Sequence, residues 1–226
     1  MPRKMSSSNS TPVSSSAIRP LLAALALTAA ARVAGAVQVE ALVSDIEGKP
    51  LKDAVVFAYE VKGSTFAPPE APAIMDQVNL EFEPRLLAVQ AGTKVQFPNK
   101  DNVHHHLYSL SSAKAFELPL YKGEPSAPVL FEKPGVVKLG CNIHDWMSAL
   151  ILVLPNPYFA RTDAAGKALL EVPDASLELA VFHERQRDPL DSTRKKPSME
   201  KEGSRASWKL ALKPERKKKR PAAAYP

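Results

Sequence analysis

From residue 37 onward the apolar residues recur with the period of strands. Val37, Val39, Ala41 and Val43 occupy every second position, as on one face of a half-buried strand. Residues 45–50 (DIEGKP) supply turn chemistry, and residues 54–59 (AVVFAY) predict a second strand. Residues 63–73 (GSTFAPPEAPA) read as a linker, because proline and small residues stiffen a chain without packing. A second block opens near Gln77, with apolar runs at 78–82, 86–89, 94–97, 103–110, 128–131, 135–139 and 149–154. Turn residues at Ala91-Gly92, at 98–101 and at 133–135 separate these runs. A third block extends from Asn156 to about Leu212. It has a turn at 162–166 and alternation through Ala168, Leu170 and Val172, then through Leu177, Leu179 and Val181. Residues 184–206 are charged and contain proline, which predicts a loop, and residues 208–212 (WKLAL) predict a closing edge strand. Many short strands at this spacing predict an all-β sandwich or barrel, without an internal repeat or a long amphipathic helix.

Composition agrees with a folded β protein. Hydrophobic residues make up 45% of the 226 and charged ones 24%, the proportions of a chain that buries a core. Twenty-one prolines argue against long helices, since each internal proline removes a hydrogen bond and clashes with the preceding turn. The net charge of +6 is unevenly placed: residues 1–36 hold four bases and no acid, and residues 213–220 (KPERKKKR) six bases and one acid. Residues 37–212 are left with 20 bases against 23 acids, net −3, so the body is not a basic nucleic-acid-binding domain. The tail at 214–226 reads as disordered and basic.

Residues 1–36 read as a cleaved signal peptide. A polar basic stretch ends at Arg19, an apolar run follows at 21–31 (LLAALALTAAA), and Ala34-Gly35-Ala36 has the small residues that signal peptidase needs. Only twelve residues separate Arg19 from Arg32, against the roughly 20 apolar residues of a spanning helix. Cleavage is expected after Ala36, leaving a periplasmic or secreted mature chain with no membrane span. There is no Arg-Arg pair, which points to the general secretory route, and no cysteine near the cleavage point for a lipid anchor.

Export makes the cysteine content informative. Cys141 is the only cysteine, so no internal disulfide can form, and a lone thiol in an oxidising space needs burial or a bound partner. Its neighbours, residues 141–147 (CNIHDWM), spell C-x2-H-x2-M. With five His and five Met in the chain, that coincidence arises by chance about once in 2000. Thiolate, imidazole and thioether within seven residues make a soft donor set that selects copper over magnesium or calcium. Zinc gains nothing from Met147. Joined by a distant second imidazole, such a set makes the trigonal site with a long axial Met used for one-electron transfer. The plainer reading is a buried cysteine beside an unremarkable loop.

The second imidazole has a source in residues 97–106 (FPNKDNVHHH). Side chains alternate along a strand, so Val103, His105 and Leu107 share one face while His104, His106 and Tyr108 take the other. The apolar company of His105 marks its face as inward. A bulge near Asp101 would instead rotate His104 or His106 inward.

Phe82-Glu83-Pro84 with Val89, Gly92, Val95, Phe97 and Asn99 resembles the early-strand pattern of cupredoxins of the plastocyanin and amicyanin type. Residues 134–141 (PGVVKLGC) resemble that family's strand into the copper loop, and the loop spacing equals the amicyanin one. The resemblance covers about residues 76–155. It implies a Greek-key β-sandwich or barrel holding one type 1 copper, with His105, Cys141 and His144 as strong ligands and Met147 as the axial one. The offset of six residues from Asn99 to His105 also resembles the family pattern. The resemblance further implies that His144 reaches the surface through an apolar patch and passes the electron; Trp146 is either part of that patch or a core aromatic. The chain departs from the family after the first ligand, where plastocyanin and amicyanin have Asn and this chain has His106.

Residues 45–56 and 162–173 resemble the two halves of a carboxypeptidase-regulatory-like (transthyretin-like) sandwich. Neither half alone has enough strands to hide a core. Segments 37–62 and 156–213 are therefore expected to form one small immunoglobulin/transthyretin-like sandwich, interrupted by the cupredoxin domain at 76–155. Three consecutive β segments of one larger sandwich is the alternative. The whole chain also resembles exported methylamine utilisation proteins, whose middle reads like residues 113–118 (AKAFEL). These resemblances imply an exported blue copper protein, not an enzyme, that carries single electrons between redox partner proteins. Two other classes stay open. One is a periplasmic copper-delivery protein, slightly favoured by the adjacent imidazoles of His104 and His106. The other is an adhesion or scaffolding module in which copper is incidental. His183, after a strand of the flanking sandwich, reads as structural.

Overall fold

The computed structural model describes residues 36–215 apart from 126, 175, 201 and 202, so the expected signal peptide and nearly all of the basic tail lie outside the described residues. Two strands come first, β1 (Val37–Asp45) and β2 (Val55–Ala58). The central block then contributes β3 (Ala73–Ile74), β4 (Asp76–Val78), β5 (Glu81–Glu83), β6 (Leu86–Gln90) and β7 (Thr93–Gln96). It continues with β8 (His105–Ser111), β9 (Lys114–Tyr121), β10 (Val129–Phe131), β11 (Gly135–Cys141) and β12 (Ser148–Leu154). After it come β13 (Phe159–Arg161), β14 (Lys167–Val172), β15 (Leu179–Phe182), a 3-10 turn at Leu190–Thr193, β16 (Ser198–Glu200) and β17 (Gly203–Leu210). The fold is all-β. Among the described residues no helix is long and apolar enough to cross a membrane.

The first two strands find their partners at the far end of the chain. β1 pairs antiparallel with β14 and parallel with β17, and β2 lies between β13 and β15. Val39, Ala41 and Val43 of β1 meet Val56 and Ala58 of β2 and Trp208 of β17 in one core between these sheets. The turns at 45–50 and 162–166 are built alike. Asp45 Oδ1 accepts the N–H of Glu47 at 3.0 Å and of Lys49 at 2.8 Å, and Asp163 Oδ1 accepts those of Ala165 at 2.9 Å and Lys167 at 3.0 Å. Gly166 closes the second turn with φ +72°, and a Cβ there would collide with the Val43 carbonyl oxygen. Gly166→Ala is therefore expected to lower stability by more than ~1 kcal/mol, since φ is unfavourable and backbone cannot yield. Urea unfolding measures it; an unchanged midpoint would mean the turn moves freely.

The central strands make a second sandwich. The five-stranded sheet β6-β12-β11-β8-β9 faces the sheet β10-β7-β3, with Val95, Phe97, Leu107, Phe131, Leu139 and Ile151 buried between them. A third apolar layer joins the two sandwiches. β2 is buried on both faces: Val56 and Ala58 enter the flanking core, while Val55 and Phe57 pack against Leu86, Leu152 and Leu154 of β6 and β12. Uninterrupted apolar runs such as 54–59 and 149–154 are what two covered faces require.

Several local expectations need correction. Residues 63–73, expected as a stiff linker without packing, do pack: Gln90 Nε2 donates to the carbonyls of Phe66 and Ala67, both at 3.1 Å, and Phe66 meets Tyr158 edge-on at 5.5 Å. The apolar run at 78–82 is a hairpin, β4 pairing with β5 around Asn79 and Leu80 at φ +55° and +59°. Residues 184–206, expected as loop, hold the 3-10 turn, β16 and the start of β17. β17 is not an edge strand either, because β16 pairs outside it. β9 was not anticipated; its alternation is masked by Pro119 and by a face that stays largely exposed.

Candidate metal centre

The centre sits where two paired strands end. Gly140 of β11 pairs with Tyr108 of β8, and Cys141 with Leu107, which brings the cysteine beside the histidine-bearing strand. Gly140 lets the Tyr108 ring lie close over the strand: a Cβ there would come within 3.0 Å of that ring, so a larger residue requires the tyrosine to shift. The loop from Cys141 folds back on itself, Met147 N donating to His144 O at 2.9 Å and Cys141 N to Met147 O at 3.2 Å. Asn142 N donates to His106 O at 2.9 Å and fastens the loop to β8.

His105 points inward with no exposed surface, whereas His104 is exposed and His106 half-buried. A register shift lies next to it, but on the partner strand: His105 pairs with Tyr121 and Leu107 with Leu118, so β9 carries the extra residue. His106 instead reaches Glu117, Nε2 to Oε1 at 2.7 Å. His183 lies in the flanking sandwich, where its Nδ1 accepts the N–H of Arg185 at 3.2 Å.

Three donor atoms converge. His105 Nδ1 lies 3.1 Å from His144 Nδ1, and Cys141 Sγ lies 3.7 Å from the first and 3.4 Å from the second. All three residues are buried. Met147 is 2% exposed in the same apolar cluster as Cys141. Metal–nitrogen bonds of about 2.0 Å and metal–sulfur bonds of about 2.3 Å would space three donors roughly 3.4–3.8 Å apart. The triangle is close to that size, slightly tight along its nitrogen–nitrogen edge.

The proton inventory also fits a cation. Asp101 Oδ2 lies 2.9 Å from His105 Nε2. With that nitrogen donating to the carboxylate, neutral His105 turns its Nδ1 lone pair toward Cys141 and His144. Burial pulls the His105 imidazole down, but hydrogen bonds and negative charge from Cys141 and Asp101 outweigh it and leave its pKa above the ordinary value. Burial pushes the Cys141 thiol up, yet hydrogen bonds from His105 and from the backbone of His106, Ile143 and His144 bring its pKa below the usual one. For His144, burial and then the neighbouring His105 lower the pKa. A readily formed Cys141 thiolate and a neutral His144 are the protonation states a soft metal requires, and the additional proton that the raised pKa favours on His105 is the one a metal would displace on binding.

Two features differ from the sequence reading. His144 was expected at the surface, but it is 1% exposed, with the Trp146 ring centroid 5.4 Å from its own and that of His105 at 4.8 Å. The tilted stack shields the imidazole that the resemblance assigned to electron exit. Asp101 was missed as part of the site. An acid in a polar turn, four residues before His105, carries no spacing that marks it.

No protein-family model and no curated protein matches this sequence. Among solved structures the chain is similar to a reduced mutant of amicyanin, at 20% identity over 38% of this chain and 84% of that one, with a TM-score of 0.35. A purple cupredoxin from Nitrosopumilus maritimus is similar at 26% identity over 36% of this chain and 98% of that one, TM-score 0.32. A copper-containing nitrite reductase from Thermus scotoductus shows 21% identity over 50% of this chain and 28% of its own, TM-score 0.35.

Proposed function

We propose that this chain is an exported type 1 copper protein that carries single electrons between redox partner proteins. In this reading residues 76–155 form a cupredoxin unit inserted in a carboxypeptidase-regulatory-like sandwich of residues 37–62 and 156–213. His105, Cys141 and His144 are the strong ligands and Met147 the axial one. The observation that carries the reading is the buried triangle of His105 Nδ1, His144 Nδ1 and Cys141 Sγ, with Met147 in the same loop. Copper held there would supply a one-electron Cu(II)/Cu(I) couple. The chain's own residues exclude water from the site and hold the donors on two paired strands and a self-bonded loop. A rigid donor set needs little rearrangement when one charge changes. The reading assigns the chain no bond chemistry of its own. Export and the methylamine utilisation likeness rest on residues 1–36 and 113–118.

Burial also favours this reading over copper delivery. A carrier that hands on its metal must present it to an acceptor, whereas His105 and His144 are 0% and 1% exposed. Loading the full chain with Cu(II) and recording its optical and paramagnetic resonance spectra tests the choice. The expected result is an intense visible thiolate-to-copper band, a small parallel hyperfine splitting and a reversible potential. Copper that passes rapidly to an acceptor without a reversible couple would favour delivery, and failure to hold copper would leave a scaffolding module. Met147→Gln is expected to keep the band while lowering the potential, because an amide oxygen favours the harder Cu(II) and the axial bond tunes the electronics. Voltammetry reads it; an unchanged potential would remove Met147 from the ligand set.

A further inference from the structure

Asp101 connects His105 to a strained turn on another pair of strands. Its side chain is 12% exposed, and Oδ2 lies 2.9 Å from His105 Nε2. The same carboxylate accepts the N–H of Asn79 at 2.6 Å and of Leu80 at 3.0 Å. Those two residues form the β4–β5 turn at positive φ, where a leucine is held against its preference. Asn99 fixes the other end: its Oδ1 accepts the Asp101 N–H at 2.9 Å, and its Nδ2 donates to Val103 O at 2.8 Å and Tyr121 O at 3.0 Å. The carboxylate therefore cannot drift from the imidazole without undoing a turn.

Resting on the copper reading above, we propose that Asp101 is the positioning residue that sets the redox balance of this centre. It fixes the His105 ring with Nδ1 facing the other donors. By accepting the Nε2 proton it also makes the imidazole a stronger donor, and it places a carboxylate one ring away from the metal. Both effects favour the more highly charged Cu(II) over Cu(I). A hydrogen bond to a backbone carbonyl would orient the ring without adding that charge.

The isosteric Asp101→Asn variant of the full chain tests the assignment. Outer partners of metal-bound histidines contribute about 10–100-fold to metal affinity. Cu(II) affinity is expected to fall by that factor while Cu(I) affinity changes little, with the visible band retained. At 59 mV per tenfold change in a one-electron couple, the potential rises by roughly 60–120 mV. An unchanged potential overturns the proposal. So does an equal loss of both affinities, which would mark Asp101 as turn support alone. Should Asp101→Asn fold poorly, the same change in a Leu80→Gly background, where positive φ is unstrained, gives the same two readouts. The band of the unmutated protein separates the two readings: if it is absent, the copper assignment itself fails.

Discussion

Cys141→Ala should abolish the intense visible band of the copper-loaded protein and most of its tight copper binding. In the proposed site the thiolate would be the softest and most strongly bound donor, and no other cysteine exists to replace it. The loss should exceed the roughly 10–100-fold typical of residues that only support a ligand. The fold should survive. Cys141 is 4% exposed in an apolar cluster beside Leu139, Met147 and Ala149, and trading a thiol for a methyl leaves only a small gap there. Circular dichroism of the metal-free variant should therefore match that of the parent, with a stability cost of about 1 kcal/mol. A variant that stays blue would place the strong copper–sulfur bond elsewhere and sink the ligand assignment.

Phe57→Ala should be the most damaging change remote from the candidate metal centre. Phe57 is 2% exposed and fills the layer between the sandwiches, packed with Val55 and Ala180 on its own side and with Leu86, Leu152 and Leu154 on the other. Removing a buried phenylalanine ring costs about 3–5 kcal/mol, a large share of the roughly 5–15 kcal/mol that holds a domain folded. At a slope of about 2 kcal/mol per molar urea, the midpoint should fall by ~1.5–2.5 M. Leu169→Ala, at a side chain 53% exposed on β14, should stay within about 0.5 kcal/mol and serves as the control. Because the same layer covers the outer face of β12, bleaching of the copper band and loss of β signal should shift together. Two well-separated transitions would mean that the layer is a weak contact between independent units.

Local chemistry was legible in the chain itself. The period-two pattern of Val37, Val39, Ala41 and Val43 marks β1, and all but the partly buried Val37 are fully buried in the flanking core. The turns at 45–50 and 162–166 are readable because Asp, Gly and Pro act within a few residues of themselves. The C-x2-H-x2-M loop is readable for the same reason, since its Cys, His and Met lie within seven residues. Alternation along one strand likewise separates His105 from His104 and His106, and the structure turns only His105 inward.

What the sequence could not show is who stands opposite whom. Nothing near Gly203 announces that β17 will run parallel beside β1, more than 150 residues earlier, with β16 outside it. A run such as ALILVL at 149–154 says that both faces are covered, yet not that one face meets Phe57 of the flanking sandwich. Asp101 reads as an ordinary turn residue until the fold sets His105 on one side of it and the β4–β5 turn on the other. His144 looked like a surface imidazole until Trp146 packed against it. The division has one physical cause. Backbone preference and side-chain alternation act over a few neighbouring residues, whereas strand pairing and burial are settled by contacts between segments far apart in the chain, where many sequences satisfy the same local pattern.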